Sequence, residues 1–357
     1  MNEIPTPAAP PQRPSTRRRL SLLALLALLA VPAGLALAVN SSMSKQSLRT
    51  ELEVLGKNRP LADIGVRSLD VELDLGDGPA TISVLYARVP ARDPQPGAAP
   101  VVLVHGTPGT LFNWGEVVLG VEASPGLAAN RDVYAIEVLG HGMAPGDPEE
   151  GGPMTFQKGA DFVAAVVAAL ELPPVHLVGH SYGGEFTWRA ALDAPELFRS
   201  LTLTSSSGYA RTDDQMFPEE VEMRGHPLAD IGWFINAPER VETALAPHFD
   251  RIPPDRTQEF FLVCENASNW RAMVDLVIDE TGGRSGELRT LDLPVLLLWG
   301  AKDLAFPPET FGQRFLTDLP DARMVTLDAG HYPPEERPAE YAAALSRFIG
   351  QLEGEQR

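Results

Sequence analysis

Residues 174–186, Pro-Val-His-Leu-Val-Gly-His-Ser-Tyr-Gly-Gly-Glu-Phe, restrict the possible folds of this chain more than any other stretch. The apolar run that opens it reads as a short buried strand. The run breaks into Gly-x-Ser-x-Gly at Gly179, Ser181 and Gly183 and resumes as Phe186 to Leu192, a helix closed near Pro195. A serine on so tight a strand-to-helix turn has a strained backbone packed against its neighbours, and Gly179, Gly183 and Gly184 leave the room it needs. The helix that follows points its first N–H groups at the serine, where negative charge would develop in a reaction. A serine that merely caps this helix is the plainer alternative.

The 357 residues allow one large α/β domain with an insertion, or two small domains. The formal charge of −19 is unevenly spread: residues 1–40 hold four of the 29 Lys and Arg and one of the 48 Asp and Glu. The body is therefore more acidic than the whole, which argues against nucleic acid or an anionic membrane surface as its partner. Cys264 is the sole cysteine, so neither an intrachain disulfide nor a Cys-rich metal site is open to the chain. It lies in Phe260-Phe261-Leu262-Val263-Cys264 and reads as a small buried hydrophobe.

Residues 1–19 are rich in Pro, Ala and Thr, end in Arg17-Arg18-Arg19, and read as a disordered basic N-terminus. Residues 20–39 are almost wholly apolar. At 1.5 Å per residue they span about the 30 Å of a hydrocarbon layer, and the triple Arg would hold the N-terminus in the cytoplasm. The same stretch fits a cleaved export signal, with Pro32 and Gly34 as breakers and Ala36-Leu37-Ala38 as the cleavage site. Either way the body is expected outside the cytoplasm: membrane-anchored, or secreted or periplasmic after cleavage. Membrane contact is expected through this segment alone. Residues 40–62 read as a polar linker or short helix.

Two alternating runs, Ile64–Leu75 and Thr81–Val89, flank Gly76-Asp77-Gly78 and predict a hairpin. Val101–Val104 is a continuous apolar strand ending in His105-Gly106-Thr107-Pro108-Gly109, a turn that frees backbone N–H groups from the sheet ladder. Asp132–Glu137 reads as the next strand, followed by Leu139-Gly140-His141-Gly142. Apolar residues at 3.6 spacing predict a helix over Phe156–Leu170, and Arg199–Thr204 reads as the strand after the elbow helix. Strand–helix alternation then lapses from Ser205 to Thr290, a segment carrying Tyr209, Phe217, Trp233, Phe234, Phe249, Phe260, Phe261 and Trp270. Pro294–Gly300 and Arg323–Leu327 are further strands, the first followed by Asp303, the second by Ala329-Gly330-His331-Tyr332-Pro333, with a helix over Glu340–Leu352.

Four of these features, in this order over roughly residues 60–352, resemble the α/β-hydrolase superfamily: the serine elbow, the His-Gly-x-Pro loop, the Gly-x-x-Asp loop and the final histidine loop. The resemblance implies an α/β fold with a mostly parallel eight-stranded sheet flanked by helices. It places the core at 63–207 and 291–354 and a helical cap insertion at 208–290. It implies Ser181 as nucleophile, His331 as base and Asp303 as the acid that orients it. It implies an oxyanion hole from the backbone N–H groups of Thr107 and Tyr182. Asp275 and Asp279 are weaker rival acids. His105 and His141 are expected to shape loops rather than do chemistry, and Glu137 stands where the family usually has Asp.

The implied activity is hydrolysis of a small acyl ester through an acyl-enzyme, with a small-molecule acyl substrate and no metal or organic cofactor. Amide or peptide cleavage, carbon–carbon bond hydrolysis, perhydrolysis and acyl transfer use the same serine, and a non-catalytic binding protein could share the scaffold. Nothing in the sequence bears on oligomeric state.

Overall fold

The computed structural model describes residues 43–56, 65–74, 78–121, 124–144, 152–226, 229 and 238–355. The expected disordered terminus, the apolar run at 20–39 and the turn at 75–77 lie outside the described residues. Among the described residues no helix is long and apolar enough to cross a membrane.

Eight strands form one sheet: β1 (Arg67–Asp74), β2 (Pro79–Val89), β3 (Val101–Val104), β4 (Val133–Ile136), β5 (Val175–His180), β6 (Phe198–Thr204), β7 (Val295–Gly300) and β8 (Ala322–Leu327). Their order across the sheet is β1-β2-β4-β3-β5-β6-β7-β8. The predicted hairpin is β1 paired antiparallel with β2, from Arg67 opposite Tyr86 to Asp74 opposite Pro79. β2 runs antiparallel to β4, and every pairing from β4 to β8 is parallel.

The strand sequences follow from position. β3, β4, β5 and β7 lie inside a sheet covered on both sides, so each is buried at every residue. β1, at the edge, alternates Val71 and Leu73 inward with exposed Glu72 and Asp74. Alternate residues of one strand join two different cores. Val102 and Val104 of β3, with Val295, Leu297 and Trp299 of β7, pack with α2 (Phe156–Ala169) and α3 (Tyr182–Asp193) through Phe162, Val163, Phe186 and Trp188. Val101, Leu103, Leu296 and Leu298 face the other way, onto α1 (Lys45–Gly56) and the C-terminal helix Pro338–Glu355 through Leu48, Leu52, Tyr341, Leu345 and Phe348.

α1 falls in the stretch expected to be a polar linker or short helix. It is a helix whose Leu48 and Leu52, one turn apart, are completely buried. Burial of that kind stabilises by about 1.5–3 kcal/mol per side chain. The segment thus belongs to the folded body.

Between β6 and β7 the chain leaves the sheet for α4 (Pro218–Gly225), α5 (Pro238–Leu245), α6 (Arg256–Cys264) and α7 (Ala267–Asp279). α7 sends Ala272, Leu276 and Val277 into the same core as α2 and α3. Because β3 to β8 are parallel, the loops leaving β3, β4, β5, β7 and β8 all open on one edge of the sheet, where open α/β sheets take their ligands.

Candidate active site

β5 delivers Ser181 into a conformation that other residues avoid: φ is 54° and ψ −125°, a strained left-handed φ for a side chain with a Cβ. The turn holds because neighbouring backbone comes unusually close. A Cβ on Gly183 would run into the His105 carbonyl, and one on Gly184 into the Ser206 side chain. The Ser181 N–H donates to the Thr204 carbonyl at 2.9 Å, and the Ser181 carbonyl accepts from Gly184 at 2.9 Å and Ser207 at 3.2 Å. The expected helix after the serine begins at once, as α3, so Tyr182 is its first residue and its N–H has no partner within the helix.

β7 and β8 bring the two remaining candidates to the same point. His331 Nε2 lies 3.0 Å from Ser181 Oγ, and His331 Nδ1 lies 3.0 Å from Asp303 Oδ2. The other oxygen of Asp303 accepts from the N–H groups of Ala305 (2.9 Å) and Phe306 (3.0 Å), which fixes the carboxylate plane. All three side chains are buried. The rival acids are engaged elsewhere: Asp275 accepts from the Met154 N–H and Asp279 from the Phe156 N–H, both at 2.8 Å.

The loop carrying His331 is clamped through its backbone. Its N–H donates to the His248 carbonyl and its carbonyl accepts from His180 Nε2, each at 2.7 Å. His180, inside the serine motif itself, is therefore protonated on Nε2, and burial holds its pKa well below the usual imidazole value. His180 is a functional residue with no role assigned from the sequence. Its place between Gly179 and Ser181 was a usable signal.

The loop after β3 lies beside the elbow, and Thr107 and Pro108 face the same cavity as Ser181 and Tyr182. Among the described residues the Thr107 N–H has no hydrogen-bond acceptor. His105 accepts from the Val138 N–H through Nε2 (3.0 Å) and reaches the Gly106 carbonyl through Nδ1 (2.9 Å). His141 bonds the Thr107 hydroxyl and the Leu139 carbonyl. Burial holds these imidazoles neutral, down to about 3 for His105 and about 4 for His141. Glu137 accepts from the N–H groups of Leu111 (2.9 Å) and Met143 (2.8 Å), tying the two loops together. Burial outweighs those bonds and lifts its carboxyl to about 7.

The insertion is pinned to each arm of this arrangement by polar groups the sequence did not single out. Arg211 forms a buried pair with Glu280 (2.7 Å) and a further pair with Glu220 (2.8 Å), and lies over the Phe306 ring. The Tyr182 hydroxyl donates to Glu280 at 3.2 Å. Thr110 donates to Glu259 of α6 at 2.6 Å. Asn269 of α7 donates to the Gly142 carbonyl at 3.1 Å and receives Lys45 of α1. Apart from Arg211 and Glu220, nine residues apart, these partners are distant in the chain, and long-range polar pairs leave no local pattern to read.

A cavity of about 800 Å³ opens over Ser181 and His331. Its wall includes Phe217, Met223, Val241, Phe260, Trp270 and Met273 from the insertion. Of the aromatics noted in the sequence, Phe217, Phe260 and Trp270 face the cavity, whereas Tyr209 meets Phe315 edge to face and Phe249 stacks on Tyr332. Trp233 and Phe234 lie outside the described residues. Cys264 is buried on the cavity wall, and burial pushes its thiol up to about 12. Among the described residues no group of three or more His, Cys, Asp or Glu could hold a metal ion.

Comparison with known proteins agrees with this architecture. The family model described as the alpha/beta hydrolase family matches residues 101–344. An uncharacterized hydrolase of Bacillus subtilis is 27% identical over 270 residues, covering 71% of this chain and 91% of its own. A pimeloyl-[acyl-carrier protein] methyl ester esterase of Neisseria meningitidis is 30% identical over 234 residues, 62% of this chain and 69% of its own. A thermophilic esterase from Thermogutta terrifontis shares the fold at a TM-score of 0.64 and 18% identity, covering 80% of this chain and 99% of that one.

Proposed function

The chain belongs to the alpha/beta hydrolase family, and on that premise we propose that it is a serine esterase acting through Ser181, His331 and Asp303. One observation carries the reading: an unbroken hydrogen-bonded line from the Ser181 hydroxyl through His331 to Asp303, 3.0 Å at each step. His331 Nε2 takes the hydroxyl proton as Ser181 Oγ forms a bond to the ester carbonyl carbon. Asp303 keeps the other ring proton on Nδ1 and stabilises the imidazolium. The N–H groups of Thr107 and Tyr182 take the carbonyl oxygen as it becomes negative. The bond between the acyl carbon and the alcohol oxygen then breaks, His331 protonates the departing oxygen, and a water deprotonated by His331 releases the acid from Ser181. The insertion acts as a cap whose apolar wall receives the substrate and limits water at the serine.

The apolar run at 20–39 behind Arg17-Arg18-Arg19 supports a body held outside the cytoplasm, by an anchor or after export. The activity is tested on nitrophenyl esters with the wild type, Ser181→Ala and His331→Ala. Each substitution is expected to lower turnover by on the order of 10⁴-fold. Activity within tenfold of wild type for either would refute the assignment.

A further inference from the structure

His248 is a polar group of the cavity with nothing to do in the resting protein. It sits at the end of a short turn, Ala246–His248, leading out of α5. Its ring lies on the cavity wall, 4.4 Å from the Phe217 ring and 5.7 Å from the His331 ring, centre to centre. Its Nδ1 is shut off from solvent and has no hydrogen-bond partner among the described residues. Its backbone carbonyl already holds the His331 N–H, so the main chain has a structural duty and the side chain does not share it. Its Nε2 is the ring nitrogen left open to the cavity, also without a hydrogen-bond partner among the described residues, so a molecule entering the cavity can bond it.

The chemistry places that partner. His331 protonates the leaving oxygen, so whatever faces His331 from the insertion faces the departing alcohol. His248 and Phe217 are the side chains packed there, an imidazole and an apolar ring in tilted contact. Burial holds His248 neutral, down to about 4, with Glu220 and Asp303 pulling the other way and His331 and Arg211 adding to the depression. A neutral imidazole both donates and accepts. The exposed carboxylates of Glu219 and Glu222, on α4 at the same wall, disfavour an anion there.

From the juxtaposition of His248 and Phe217 opposite His331, we infer that they form the leaving-group subsite and that it takes an uncharged alcohol bearing a second hydroxyl beside the ester oxygen. The inference rests on the serine-esterase reading above and adds the alcohol's chemical class. Phe217 covers the carbon face of the alcohol, and His248 offers Nε2 to the second hydroxyl.

The test compares kcat/KM for ethyl butanoate and 2-hydroxyethyl butanoate in the wild type, His248→Phe and His248→Gln. One neutral hydrogen bond completed by substrate predicts a wild-type preference for the hydroxyethyl ester of about three- to tenfold. His248→Phe keeps a ring against Phe217 and the carbonyl to His331, and should erase the preference, a ratio of two esters read within one variant and so independent of any general change in turnover. His248→Gln, with a donor and an acceptor, should keep part of it. Equal selectivity in wild type and His248→Phe overturns the inference, as does a wild type with no preference. A fluorophosphonate that labels Ser181 separates the two levels. Labelling without the selectivity change sinks the subsite alone, and failure to label sinks the esterase reading and the subsite with it.

Discussion

Asp303→Asn alters one side-chain atom, and its outcome can be worked out from the hydrogen bonds. Asp303 presents Oδ1 to two backbone N–H groups and Oδ2 to His331 Nδ1. In the variant the amide oxygen must stay with the two N–H donors, since an NH₂ there would face them donor to donor. The NH₂ is left against His331 Nδ1 and can only donate. Nδ1 must then accept, which moves the ring proton to Nε2, the nitrogen 3.0 Å from Ser181 Oγ. An Nε2 that carries a proton cannot take another from the serine. The expected loss is on the order of 10⁴ in kcat, about 5 kcal/mol of barrier, with little loss of stability because both backbone bonds survive. Steady-state hydrolysis of a nitrophenyl ester, with denaturant unfolding of the same samples, reads both quantities. Asp275→Asn and Asp279→Asn, whose partners are the N–H groups of Met154 and Phe156, should leave kcat nearly unchanged. A kcat for Asp303→Asn within tenfold of wild type, or a similar loss in either control, would refute the reasoning.

Arg211→Met leaves Glu220 and Glu280 as neighbouring carboxylates with only the long 3.9 Å pair of Glu280 to Arg224, and should cost about 3–5 kcal/mol in denaturant unfolding, part of it restored by adding Glu280→Gln. Gly183→Ala forces a methyl group into the His105 backbone carbonyl, which cannot rotate away, and should lower both stability and nitrophenyl ester turnover. Glu137 titrates at about 7 in the fold and near 4.5 once unfolded, so between those values the folded state holds a proton the unfolded state has lost. Stability of the wild type should therefore fall as pH rises from about 4.5 to 7, relative to Glu137→Gln, by at most about 1.4 kcal/mol per pH unit, read from unfolding curves across that range.

The parts of the site that could be read from sequence share a physical cause. β3, β5 and β7 are buried on both faces, which forces continuous apolar runs such as Val101–Val104 and Leu296–Leu298, and each run ends in the loop that bears a candidate residue. Parallel pairing then brings those loop ends together without any further specification. The serine turn was legible because the His105 carbonyl at Gly183 and the Ser206 side chain at Gly184 come too close for any Cβ. α1 was half legible: Leu48 and Leu52 carry the one-turn spacing, but the surrounding polar residues resemble a linker. The insertion was opaque at the level of contacts. Arg211 finds Glu280 from 69 positions away, and His248 matters for what its turn places opposite His331, neither of which alters the local pattern of apolar residues.

Trapping the covalent intermediate tests the central claim most directly. Rapid acid quench of the protein during turnover of a slowly hydrolysed ester, followed by peptide mass spectrometry, should find the acyl group on the peptide containing Ser181. The adduct should be absent from Ser181→Ala and should form far more slowly in His331→Ala. An acyl group on any other residue, or unchanged acylation in His331→Ala, would contradict the account.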